Sequence, residues 1–71
     1  MPSLPIVSGA QAVKALERLG FEFIRQKGSH IVMRRGGYVC IVPNHRELKI
    51  GTLSGILKQA GVSIEEFIAK V

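Results

Sequence analysis

Apolar side chains recur along this chain with two different periods, and the change from one to the other outlines its elements. Ala12, Ala15, Leu16 and Leu19 fall at i, i+3, i+4 and i+7, the stripe of a half-buried helix. Ser8 with Gln11 three residues on opens that helix as a capping box, and Gly20 can close it in the left-handed conformation. The same spacing returns in Leu53, Ile56, Leu57 and Ala60, predicting a second helix from about Thr52 to Ala60 that Gly61 ends. A second box, Ser63 to Glu66, opens a third helix expected to bury Ile64, Phe67, Ile68 and Val71. Between the first two helices the texture is different. Residues 21–27, 30–35 and 38–42 are rich in Phe, Ile, Val and Tyr and are separated by Gly28-Ser29 and Gly36-Gly37. Two-residue glycine-containing loops between such runs signal β-hairpins, because their tight turns need positive φ angles.

The predicted fold is therefore a small α+β domain in the order α-β-β-β-α-α, with helices covering one face of a three-stranded antiparallel meander. At 71 residues the chain has room for one domain, spanning 1–71. The expected core is Leu16, Leu19, Ile24, Ile31, Met33, Cys40, Leu53, Ile56, Leu57 and Phe67.

Hairpin register carries the reading further. With Gly36-Gly37 as a two-residue loop, Arg35 faces Tyr38, Met33 faces Cys40 and Ile31 faces Val42. Side chains alternate across a sheet, so Ile31, Met33, Cys40 and Val42 share one apolar face. With Gly28-Ser29 as the other loop, Lys27 pairs with His30 and Arg25 with Val32. The opposite face then gathers Arg25, Lys27, His30, Val32 and Arg34, one histidine among three cations. A one-residue bulge would undo this assignment.

Charge changes the picture from fold to partner. A net charge of +5 and an isoelectric point near 10.0 point to an anionic partner, nucleic acid first. All five acids lie at Glu17, Glu22, Glu47, Glu65 and Glu66. The stretch from Phe23 to Arg46 has none, yet holds Arg25, Lys27, Arg34, Arg35 and Arg46, a local positive field. The single Cys40 excludes an internal disulfide and reads as a small buried hydrophobe, and no Cys and His cluster has metal-ligand spacing. No cofactor is expected. Neither a signal segment nor a membrane-spanning apolar run is evident, so the expected location is the cytoplasm.

Without context a lone histidine is more often structural than catalytic. His30 follows a tight turn at which backbone can approach a ligand, and flanking cations can hold phosphates. RNA carries its own nucleophile, the 2′-hydroxyl, so its cleavage needs a base, an acid and charge stabilisation but no metal. A neutral imidazole can take the 2′-hydroxyl proton while Lys27 and Arg25 stabilise the charge developing on phosphorus. Ser29 has no triad to join, because the chain contains no aspartate. It shapes the turn or donates a hydrogen bond. His45, in Pro43-Asn44-His45 after the third strand, can assist as an acid, bind phosphate or serve only the loop. Tyr38 can stack on a base or pack beside Arg35.

These residues match a family. Gln26-Lys27-Gly28-Ser29-His30, following a helix that ends in Leu19-Gly20-Phe21, resembles the HicA toxins of bacterial type II toxin–antitoxin systems. So does the run from Pro43-Asn44-His45-Arg46-Glu47-Leu48 through Gly51-Thr52-Leu53 into Ile56-Leu57-Lys58-Gln59-Ala60-Gly61, and the opening Leu4-Pro5-Ile6-Val7-Ser8-Gly9. The resemblance implies a fold similar to the double-stranded-RNA-binding domain and ribosome-independent cleavage of mRNA. It also implies neutralisation by a HicB-type antitoxin, with DNA engaged only indirectly through that partner. The family's catalytic histidine falls on His30, and Arg25, Lys27, Gly28, Ser29, Arg34 and His45 are the expected RNA-binding or supporting residues. Two other functions stay open: a catalytically inert RNA-binding module, and an interaction protein that serves transcriptional control through the antitoxin.

Overall fold

The computed structural model describes residues 3–71. Its elements are α1 (Gly9–Arg18), β1 (Glu22–Lys27), β2 (His30–Arg35), β3 (Tyr38–Pro43), α2 (Ile50–Ala60) and α3 (Ile64–Lys70), the α-β-β-β-α-α order read from the sequence. The strands form one antiparallel sheet in the order β1-β2-β3. Both hairpins close on two-residue loops. Gly28 and Gly36 take φ of 59° and 58°, and among the described residues no non-glycine has positive φ. Positive φ at the first loop residue alone suits the right-handed twist of the flanking strands.

Both capping boxes form. The Ser8 hydroxyl accepts from the Gln11 N–H at 3.0 Å, and the Gln11 side chain accepts from the Ser8 N–H at 2.8 Å. At α3 the reciprocal pair joins Ser63 and Glu66 at 3.1 and 2.9 Å. The Ser63 backbone N–H, and then its hydroxyl, hold the Glu66 carboxyl below the usual carboxylate range, with Arg35 adding a smaller pull. A carboxyl depressed in the folded state contributes stability that is fully present above its unfolded pKa of about 4.3 and is lost as pH falls through the folded value. Melting curves taken from about pH 6 down to pH 3 should therefore show an acid-side loss that Glu66→Ala reduces. Ser63→Ala should lower Tm by about 4–8 °C, as expected for loss of a cap of about 1 kcal/mol. An unchanged Tm in Ser63→Ala would mean that the box does not hold α3 in place.

Helix α2 begins at Ile50, ahead of the expected Thr52. Its N-cap, Lys49, makes no side-chain cap, so nothing local marks the start. The preceding residue is tethered from a distance instead: the Leu48 N–H donates to the Val7 carbonyl at 2.8 Å.

One cluster of buried residues joins the helices to the inner face of the sheet, with α2 over β3 and α1 touching both β3 and α3. Leu16, Ile31, Met33, Cys40, Leu53, Ile56, Leu57 and Phe67 are buried, as expected. Leu19 is only partly buried. Ile24 departs from expectation, being 39% exposed. The register runs from Phe23↔Met33 to Arg25↔Val32, so Ile24 is the extra residue of a β-bulge on an edge strand. Phe21, just ahead of β1, fills the core at this end. Only Phe67 of the expected α3 stripe is buried; Ile64 is half-buried, and Ile68 and Val71 are exposed. Helix α3 is a short element packed on α1, and it covers little of the molecule. Burial pushes the Cys40 thiol up to about 11, consistent with an inert core side chain.

Candidate functional site

Because the helices take one face of the sheet, the other is left to solvent, and alternation decides what it presents. Lys27↔His30, Arg25↔Val32 and Glu22↔Arg34 pair β1 with β2. On the other side of β2, His30↔Pro43, Val32↔Ile41 and Arg34↔Val39 face one another. Directly opposed residues share a face. The outward face therefore holds Arg25, Lys27, His30, Val32 and Arg34, as the hairpin register predicted. The bulge that threatened this assignment exists, but it lies upstream of Arg25 and leaves the pairing from Arg25 to Lys27 intact.

His30 is the first residue of the central strand, exposed, with Lys27 across from it on one side and Pro43 on the other. Gly28 and Ser29 form the exposed turn before it, and the Gln26 side chain donates to the Gly28 carbonyl at 3.0 Å. Arg25, Lys27 and Arg34 are exposed, and Glu22 is the one acid among the paired residues of this face. Electrostatically the face carries three cations against one acid, with one imidazole at its turn end.

The loop after β3 is fixed to this end of the sheet by backbone hydrogen bonds. The Asn44 N–H donates to the Ser29 carbonyl at 2.6 Å, tying the loop to the turn before His30. The Gly9 N–H donates to the His45 carbonyl at 2.8 Å. A Cβ on Gly9 would run into the Pro43 carbonyl oxygen and come within 2.9 Å of the Asn44 Cα, so α1 and the loop meet backbone to backbone. His45 is exposed and lines a shallow depression with Pro43, Glu47, Leu48, Lys49 and Thr52. Pro43 thus borders both His30 and the depression that His45 lines.

Tyr38 lies elsewhere. Paired with Arg35 at the hairpin end, it sets its ring against Gly61, where a Cβ would come within 2.6 Å of a ring carbon. Arg35 stacks on Phe21 at 4.8 Å and donates to the Leu19 carbonyl at 2.7 Å, so it is not one of the cations of the outward face. Sequence reasoning left out Val39 and Ile41, which stand on the outward face 49% and 47% exposed. The unbroken apolar run of β3 hides which of its residues turn outward, although the register that pairs Ile41 with Val32 contains the answer. Asn44 was passed over because its contribution is a backbone N–H, which residue type does not reveal.

Among the described residues, no three His, Cys, Asp or Glu side chains are grouped so as to hold a metal ion, and no helix is long and apolar enough to cross a membrane.

A family model described as HicA toxin of bacterial toxin-antitoxin matches residues 9–62. The chain belongs to the HicA toxin family. No curated protein matches it. The matched span runs from the first residue of α1 to just past α2, and so includes the Gly28-Ser29-His30 turn and the loop that carries His45. Residues before Gly9 and helix α3 lie outside it. As a member of this family the chain is a toxin of a toxin–antitoxin system, and an antitoxin is its partner.

Proposed function

We propose that this HicA toxin is a metal-independent endoribonuclease that cleaves mRNA in the cytoplasm, with His30 as its base and a HicB-type antitoxin as its inhibitor. The observation that carries the reading is the outward placement of His30, unburied, beside a tight turn and among Arg25, Lys27 and Arg34. RNA brings the nucleophile with it. The His30 imidazole takes the proton from the 2′-hydroxyl as that oxygen attacks the adjacent phosphorus. The P–O bond to the 5′-oxygen breaks, and His45, carried on the loop tied to the Ser29 carbonyl, gives that oxygen a proton. Lys27 and Arg25 offset the negative charge that builds on the phosphoryl oxygens. The products are a 2′,3′-cyclic phosphate and a 5′-hydroxyl.

The deciding experiment incubates the purified toxin with RNA and identifies the ends. Cyclic phosphate ends, unaffected by chelator, are the expected result. Cleavage of a strand bearing 2′-deoxyribose at the scissile position would overturn the mechanism. No cleavage with retained RNA affinity would favour the RNA-binding module, which the same cationic face serves equally well.

Arg25, Lys27 and Arg34 hold phosphates in this reading. Replacing any one with Ala should weaken RNA binding about equally across sequences. It should also flatten the dependence of affinity on salt by close to one unit of slope, since fewer counterions are released. An unchanged slope would move the RNA to another face. The antitoxin acts by covering the same face, and its acidic groups meet these cations.

A further inference from the structure

The outward face holds an aliphatic strip as well as cations. Val39 and Ile41 are 49% and 47% exposed, and Val32, across from Ile41 on β2, is half-buried. The pairs Val32↔Ile41 and Arg34↔Val39 make the three contiguous, with Arg25, Lys27, His30 and Arg34 around them. No described segment covers this strip. We propose that Val32, Val39 and Ile41 are the anchor on which the antitoxin seats, through a protein surface with an apolar centre and a carboxylate rim. The proposal deepens the reading of the His30 face given above, and rests on it.

Three considerations choose this occupant. RNA has little use for the strip: aliphatic side chains offer no ring on which a base can stack and no donor for a phosphate. The paired residues of the face include no Phe, Tyr or Trp. A second copy of the chain would bring Arg25, Lys27 and Arg34 against their own kind with only Glu22 to offset them, and like charges juxtaposed across an interface are costly. A partner with an apolar centre and an acidic rim meets neither obstacle, and protein interfaces are commonly built with such an apolar core inside a polar rim. The family supplies the partner, since the toxin works against an antitoxin.

The placement explains how inhibition follows from docking. His30 and Val32 are next-but-one on the same strand and face, about 6.6 Å apart along it. A protein seated on Val32 therefore lies over the imidazole and excludes RNA without having to bond to His30. Affinity for the antitoxin and activity on RNA then rest on different side chains of one face, and each can be changed alone.

The test is the double variant Val39→Thr/Ile41→Thr, which keeps strand propensity while shortening the apolar surface. Its affinity for the purified cognate antitoxin, of HicB type in this reading, is measured by titration calorimetry, alongside RNA cleavage and the melting curve. Kd should rise by roughly tenfold for each of these half-exposed aliphatic residues, while cleavage stays within about twofold of the parent because neither side chain contacts a phosphate. The conservative Ile41→Val should bind within about threefold of the parent, since it removes one methylene. An unchanged Kd in the double variant overturns the anchor. So does a fall in cleavage that tracks the fall in affinity, which would give the strip to RNA. A parent dimer that the double variant dissociates would give it to a second copy. Should the double variant melt below the assay temperature, Val39→Lys alone repeats the measurement with the same expected loss. Calorimetry reads docking without reference to catalysis, so a His30→Ala toxin that still cleaves RNA would remove His30 from the mechanism, and a parent that cleaves none would refute the ribonuclease reading, while either leaves this result standing.

Discussion

His30→Ala should cleave RNA about a hundred- to ten-thousand-fold more slowly than the parent toxin, the range expected for a positioned general base. Its melting temperature and RNA affinity should stay close to those of the parent. The side chain is exposed at the start of β2 and belongs to no buried cluster, so truncating it opens no cavity. In the proposed mechanism phosphate binding is left to Arg25, Lys27 and Arg34, which the substitution does not touch. The effect therefore belongs in the chemical step, and single-turnover cleavage with RNA bound to saturation reads it directly. A dinucleotide analogue with a good leaving group, such as a nucleoside 3′-(4-nitrophenyl phosphate), separates the two histidines. Such a leaving group needs no proton, so His45→Ala should recover most of its activity on it, whereas His30→Ala should stay inactive because the 2′-hydroxyl still has to lose its proton. Full activity of His30→Ala on RNA would remove the imidazole from the mechanism. Equal loss on both substrates in His45→Ala would return His45 to a purely structural task in its loop.

The placement of His30 was legible before any coordinates because it follows from local chemistry of short range. Gly28-Ser29 and Gly36-Gly37 set two-residue loops, loops of that length set the register, and the register assigns each side chain to a face. The same logic failed at Ile24, where an edge strand accommodates an extra residue without breaking any pairing a sequence could reveal. Helix α2 was anticipated late because the residue ahead of it, Leu48, is held by the Val7 carbonyl from the far end of the chain, and Lys49 leaves no cap to read. The amphipathic stripe of α3 was legible, but the extent of its burial was not, since the short helix packs on α1 and still leaves Ile68 and Val71 exposed. The outward turn of Val39 and Ile41 was within reach of the register, since pairing Met33 with Cys40 and Ile31 with Val42 turns both of them away from the core. The tether at Asn44 was not, because it depends on what stands beside the residue in space, and a backbone donor carries no mark of that.

That dependence makes Gly9 the sharpest test of the site's scaffold. Gly9→Ala should lower Tm by several degrees even though alanine is the better helix former. Replacing an ordinary helical glycine by alanine gains about 0.5–1 kcal/mol. At Gly9 the added methyl meets the Pro43 carbonyl oxygen, the Asn44 Cα at 2.9 Å and the Pro43 carbonyl carbon at 3.0 Å. All three are backbone atoms, so no change of rotamer relieves the contact. Forcing a methyl into a filled site costs about 1–3 kcal/mol, which exceeds the helical gain. Moving the loop away would also stretch the 2.8 Å hydrogen bond from the Gly9 N–H to the His45 carbonyl. Gly55 provides the control of opposite sign. It lies exposed in α2 with nothing near an added Cβ, so Gly55→Ala should raise Tm by a few degrees. With α1 set backbone to backbone against the loop and open space at Gly55, the two substitutions move the melting curve in opposite directions. A rise in Tm for Gly9→Ala would mean that the loop yields freely. Because α1 presses on the loop that carries His45, the folded Gly9→Ala protein should also cleave more slowly than the parent at a temperature where both are fully folded. Loss of cleavage beyond the unfolded fraction would tie the geometry of that contact to the chemistry proposed for the face beside it.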